Sequence, residues 1–193
     1  RRLPALQQIL QLLLFGPRSL MRKLLFEALL KPILTEARPT ADDGAIDQLA
    51  GAVARTARKR LGRSLSIREV DAGSSNDSEL EIHALNNAFY DVERFGIHFV
   101  ASPRHADVLL VTGPVTKNMR QALERTFAAT PGPKWVVAVG DEALDGGCFA
   151  RSYAVAGGVG DVVPVDLHIP GNPPSPIALL RGLLALLDRA DAG

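Results

Sequence analysis

Val108-Leu109-Leu110-Val111, opened by Asp107 and closed by Thr112, and Trp135-Val136-Val137-Ala138-Val139 are the two stretches that decide the fold. Both are apolar at every position instead of alternating, so both need cover on two faces, the condition of a strand inside a parallel sheet sheathed by helices. Working outward, Leu65 to Val70 and Ile97 to Val100 read as further strands, with a helix predicted from Ser78 to Phe95 between them. Downstream, Met119 to Ala128 reads as a helix, Val162 to Val165 as another strand and Ile177 to Leu187 as a closing helix. Strands alternating with helices predict a doubly wound α/β domain over residues 63–193.

Ahead of this domain the pattern changes twice. Ile46 to Leu61 is predicted helical and ends in Arg58, Lys59 and Arg60 before Gly62, where cations complement the negative helix end and glycine stops it. That basic run reads as a solvated helix end. Pro39 and Asp42-Asp43 mark a linker, so residues 36–62 form linker plus helix. Residues 1–35 are rich in Leu and basic. Leu3, Leu6, Ile9, Leu10, Leu13 and Leu14 recur at helical spacing, and the stretch breaks at Gly16-Pro17. Two amphipathic helices are expected there, covering a membrane interface or a partner, with packing onto their own domain as the alternative.

A chain of 193 residues with a net charge of +1 holds one good core, and it lacks the basic excess that nucleic acid as the main partner would demand. The one cysteine, Cys148, excludes an intramolecular disulfide and any all-thiolate metal site drawn from this chain. No apolar run reaches the roughly 18–20 residues of a membrane-spanning helix, and no segment reads as a cleavable signal peptide. The body is expected to be soluble; because the chain opens on Arg1 instead of Met, a segment upstream is expected too.

In an open α/β sheet the functional crevice lies beyond the carboxyl ends of the strands. The segments that follow them are 71–79, 112–116, 140–147 and 170–174, all rich in Gly, Pro and small polar residues. No nucleotide-binding arrangement appears: Gly146-Gly147 and Gly157-Gly158-Val159-Gly160 lack the strand–glycine–helix context and the lysine such loops need. His83, His98, His105 and His168 show no metal-ligand spacing.

Several ordered motifs carry a resemblance: Glu79-Leu80-Glu81-Ile82, Asp91-Val92-Glu93-Arg94-Phe95-Gly96, Ala101-Ser102-Pro103-Arg104-His105-Ala106-Asp107, Val111-Thr112-Gly113-Pro114-Val115-Thr116, Pro133-Lys134-Trp135-Val136, Val163-Pro164-Val165-Asp166, and Ile169-Pro170-Gly171 followed by Pro173-Pro174. Together they resemble the cluster-bearing small subunit of group 4, formate-hydrogenlyase-type nickel-iron hydrogenases, and more distantly the homologous B subunit of complex I. The resemblance implies a flavodoxin-like core and a four-iron-four-sulfur cluster held by four cysteines. Two come from a Ser-Cys-Asn-Gly-Cys-Glu motif, one from Gly-x-Cys-Ala and one from Pro-Gly-Cys-Pro-Pro. The aligned positions here are Ser75, Ser78, Glu142 and Asn172, and the motif's glycine is Asp77. Thiolates hold such clusters, and hydroxyl or amide groups are far weaker ligands, so the cluster is expected to be absent.

The expectation is therefore a structural, non-redox subunit of an ion-translocating membrane assembly, with no catalytic residue of its own. The alternative is an electron-transferring subunit that retains a cluster, or in which the substitutions are engineered. The resemblance implies a hydrogenase-large-subunit-like or complex I catalytic-subunit-like partner, membrane-embedded antiporter-like subunits, and a peripheral position on the cytoplasmic face of the bacterial inner membrane. Asp77, Glu142, Asn172 and the two serines are expected to converge where relatives hold the cluster. They could take a hard cation or, more simply, hydrogen-bond one another and water. Glu142, Asp77, Glu79 and Glu81 are candidate proton carriers; Glu79 and Glu81 have helix-end complementation as their bland role. Arg104 matches an arginine that the resemblance places near a subunit interface, with a structural ion pair as its alternative. Asp166 reads as a turn-fixing carboxylate.

Overall fold

The computed structural model describes residues 43–189, which fall within one compact unit, Asp42–Gly193. The amphipathic helices expected at residues 1–35 and most of the linker lie outside the described residues. Helix α1, Asp43–Leu61, buries Ile46, Ala50, Val53 and Ala57, spaced three and four apart on one face. It stops where the Gly62 amide, at φ 68, donates to the Arg58 carbonyl at 2.9 Å.

Strand β1, Leu65–Asp71, leads to α2, Asp77–Ala84, and then to β2, Ile97–Phe99, and β3, Val108–Thr112. A short β4, Val115–Thr116, precedes α3, Lys117–Ala129, whose first turn is capped by the Thr116 hydroxyl. Strand β5, Trp135–Val139, α4, Asp141–Asp145, β6, Val155–Gly157, β7, Leu167–Ile169, and α5, Pro176–Arg189, complete the order. The main sheet is all parallel in the order β2-β1-β3-β5-β7; β4 and β6 form a small antiparallel ribbon beside it. Counting only the main-sheet strands in chain order, this is the 2-1-3-4-5 arrangement of flavodoxin-like folds, as expected.

The two apolar runs pack as their composition demands. Val108 and Leu110 of β3, with Val137 and Val139 of β5, face a layer made by α1, α2 and α5. Leu109, Val111, Val136 and Ala138 face the opposite layer, where α3 supplies Leu123 and α4 supplies Ala143. Alternation of side chains along each strand thus feeds two separate cores from one sheet.

Three local expectations shift. The predicted strand at Val162 to Val165 is irregular chain with Val163 buried, and the fifth strand of the main sheet is Leu167–Ile169. Pro164 lacks an amide for a ladder, while Asp166 anchors the entry to β7 by accepting from the Val136 amide at 2.7 Å, the turn-fixing role expected of it. The predicted helix from Ser78 to Phe95 ends at Ala84: the Asn87 side-chain oxygen accepts from the amides of Phe89 and Tyr90 at 2.8 and 3.0 Å, turning the chain. A separate 3-10 turn then covers Val92–Phe95. Residues 141–145, read as loop, form α4.

Candidate functional site at the carboxyl edge of the sheet

The loop after β1 is organised by carboxylates. Asp71 accepts from the amides of Gly73 and Ser74 at 2.8 and 2.9 Å, which folds the chain back over the strand end. Glu79, 6% exposed, then accepts from the Ser74 hydroxyl at 2.6 Å and from the Thr112 hydroxyl at the end of β3. One buried carboxylate thereby ties together α2, the β1 loop and the neighbouring strand.

The loops after β5 and β7 are stitched by one backbone bond and one side-chain bond. The Asp141 amide donates to the Gly171 carbonyl at 2.9 Å, and the Asp141 carboxylate accepts from the Gly171 amide at 2.9 Å. Between them, Gly140 has φ 88, and a β-carbon there would sit 3.0 Å from the Ser78 hydroxyl and 3.3 Å from the Gly171 carbonyl. Glycine is what lets the end of β5 approach both neighbouring loops. His168, on β7, reaches the Gly140 carbonyl with Nε2 at 3.0 Å.

Position by position, Ser78 is buried against Gly140, two residues before Glu142, and Asn172 follows the stitched Gly171 in the exposed tip of its loop. Asp77 lies close enough to Glu142 for its charge to act on it. Ser75 is exposed and opens on a neighbouring cavity of about 190 Å³, bounded by Ser74, Pro114, Thr116, Phe149 and Val155. Glu81 lies half-buried further along α2. Arg104 does not join this group: it is exposed in the 3-10 turn Pro103–His105, before β3 and therefore at the opposite edge. Among the described residues it has no ion pair; the pair near it is Arg63 with Asp107, at 2.5 and 3.0 Å.

Glu142 is 9% exposed, and its Oε2 has no hydrogen-bond partner among the described residues. Burial, and then the charges of Asp77 and Glu79, push its carboxyl above the usual range. Glu69, which the sequence reading did not single out, behaves similarly. It stands on β1 with one unpartnered oxygen, and burial raises it although His83, at 3.5 Å, opposes the shift. Its signal was a charged residue inside a strand whose neighbours Ile67 and Val70 are core. Among the described residues no group of three or more His, Cys, Asp or Glu side chains is placed to hold a metal ion.

Apolar side chains rim this edge: Leu80, Leu144, Phe149 and Tyr153 are 60, 54, 44 and 90% exposed. These features define a doubly wound domain with a carboxylate-lined crevice at the carboxyl edge of its sheet and exposed apolar side chains on the elements that follow the strands. Residues 76–186 match the model of the family described as NADH ubiquinone oxidoreductase, 20 Kd subunit, and the chain belongs to that family.

The chain is 42% identical over 142 residues to formate hydrogenlyase subunit 7 of Escherichia coli K12, a match spanning 74% of this chain and 56% of that relative's length. It is 41% identical over 131 residues to the probable membrane-bound hydrogenase subunit mbhJ of Pyrococcus furiosus, covering 68% of this chain and 78% of the relative. Among solved structures, a chain of the membrane-bound sulfane sulfur reductase, an archaeal respiratory membrane complex, superposes with a TM-score of 0.61 at 33% identity, over 74% of this chain and 77% of that one.

Proposed function

We propose that this chain is a non-redox structural subunit of a membrane-bound, ion-translocating complex of the hydrogenase and complex I type, and that it holds no iron-sulfur cluster. The observation that carries the reading is the donor set at the carboxyl edge. The positions matching the family's cluster ligands offer the hydroxyls of Ser75 and Ser78, the carboxylate of Glu142 and the amide of Asn172. These do not fit a cluster that needs thiolates, and no step of the function is routed through one. Cys148 is exposed in the 3-10 turn Gly147–Phe149 and does not restore the set.

The apolar rim supports docking against a large subunit resembling the hydrogenase or complex I catalytic subunit, because exposed apolar surface of that kind marks interaction sites. Attachment at the periphery of a membrane complex is supported by relatives that are named as subunits of such complexes; a cytoplasmic face and antiporter-like neighbours are part of the proposal. Among the described residues no helix is long and apolar enough to cross a membrane. Within this reading Glu142, flanked by Asp77 and Glu79 with Glu81 further along α2, is the group poised to take up a proton. The test is to purify the chain with its copurifying partners and measure iron, acid-labile sulfide and the paramagnetic resonance of the reduced sample. A large-subunit-like partner and no cluster assignable to this chain is the expected result; a cubane bound to it would overturn the proposal.

A further inference from the structure

At the amino edge of the sheet, opposite the crevice, a second concavity of about 210 Å³ lies between α1 and the 3-10 turn that precedes β2. It is lined by Gly51, Ala54 and Phe95 together with Arg55, Arg58 and Arg94. The small residues matter: a β-carbon at Gly51 would lie 3.2 Å from Nη1 of Arg55, so glycine keeps space under that guanidinium. Arg94 is held over the Phe95 ring at 4.6 Å and pairs with Asp47, one turn before Gly51 on the same helix face.

No carboxylate lines the concavity itself, and among the described residues none pairs with Arg55 or Arg58. Complementing the helix end accounts for cations in the last turn alone, which are Arg58, Lys59 and Arg60. It does not explain why Arg55, a turn earlier, and Arg94, from another element, converge with Arg58. Arg60 serves elsewhere, donating to the Leu187 carbonyl and lying 5.3 Å from the Trp135 ring centroid.

We propose that this concavity binds a phosphate group, the chemistry shared by a phospholipid headgroup and a soluble phosphate compound. Guanidinium forks match phosphate oxygens two at a time, and three of them line this concavity with only Arg94 paired, to Asp47, in a chain whose net charge is only +1. The site is independent of the crevice and of whether a cluster is held there.

The test uses the full chain, as wild type and as the double variant Arg55→Gln, Arg58→Gln. Both side chains are exposed and unpaired, so the fold survives, which an unchanged melting temperature verifies. Binding of inorganic phosphate is followed by calorimetry, and binding to phosphatidylglycerol–phosphatidylcholine vesicles, against phosphatidylcholine alone, by co-sedimentation. The expected result is a loss of about ten-fold or more in affinity for the probe that wild type binds, since two charge-assisted contacts disappear. Loss confined to phosphate assigns a soluble ligand, and loss confined to anionic vesicles assigns a lipid headgroup. Equal binding by wild type and variant, no binding of either probe, or tighter binding of a Glu-rich peptide than of both would overturn the proposal, the last in favour of an acidic protein partner.

Discussion

Glu79 and Glu142 share one crevice but differ in their surroundings. Glu79 is buried with both oxygens engaged, by Ser74 and Thr112, so its desolvation is offset. Glu142 is buried with one oxygen unengaged, and its carboxyl is raised above its ordinary value of 4.5. A carboxyl raised on folding binds its proton more tightly in the native than in the unfolded chain, so its contribution to stability is lost as pH climbs through the ordinary carboxyl range and the raised value. Glu142→Gln should therefore stabilise the protein at neutral pH, with the gain fading as pH falls below 4.5. Urea midpoints at the two pH extremes check this; a gain of equal size in acid would contradict it. The sequence marked Glu142 through its position in a motif, whereas the signal of Glu69, a charge between core positions of β1, belonged to no motif and was passed over.

Among the elements, β3 and β5 were legible because a strand covered on both faces must be apolar throughout, and their residues do divide between the two cores. Strand β7 was misplaced because Val162, Val163 and Val165 satisfy the same apolar criterion while packing as irregular chain. The break after Ala84 had a local signal in Asn86-Asn87, since asparagine side chains accept from nearby backbone amides and favour turns. Helix α5 shows what the elements contribute to stability: Leu179, Leu180, Leu183 and Leu187 are wholly buried in the core that also takes α1 and the sheet. Leu183→Ala should cost about 2–5 kcal/mol and lower Tm by roughly 5–15 °C, through lost transfer energy and the cavity left behind. Ala185→Ser, on the exposed face of the same helix, should stay within about 0.5 kcal/mol. Thermal denaturation followed by circular dichroism separates the two, and a similar drop for both would show that α5 is not seated as described.

On the scale of the whole molecule, the crevice is assembled from loops far apart in sequence, after β1, β5 and β7, and the main-sheet order brings them to one edge with the end of β3 between the first two. The switch-point rule made that gathering legible in the sequence; the stitching of Asp141 to Gly171 was not, because a backbone hydrogen bond leaves no trace in residue type and the partner of an Asp carboxylate cannot be read from the chain. If the loops keep the arrangement that ligands require, then Ser75→Cys, Ser78→Cys, Glu142→Cys and Asn172→Cys together should let the chain accept an iron-sulfur cluster on anaerobic reconstitution, while wild type takes none. Visible absorption and bound iron provide the readout. Failure of a folded quadruple variant to bind iron would mean that the loops have drifted apart along with their side chains.

Gly140 carries a last consequence. Its missing β-carbon, not any donor atom, lets the end of β5 sit against the Ser78 side chain at the start of α2 and the Gly171 carbonyl of the loop after β7. Cavity shape and cavity chemistry are thus governed by different codons. In a domain built this way the side chains that face the crevice can change while the spacing of the loops around it stays as it is.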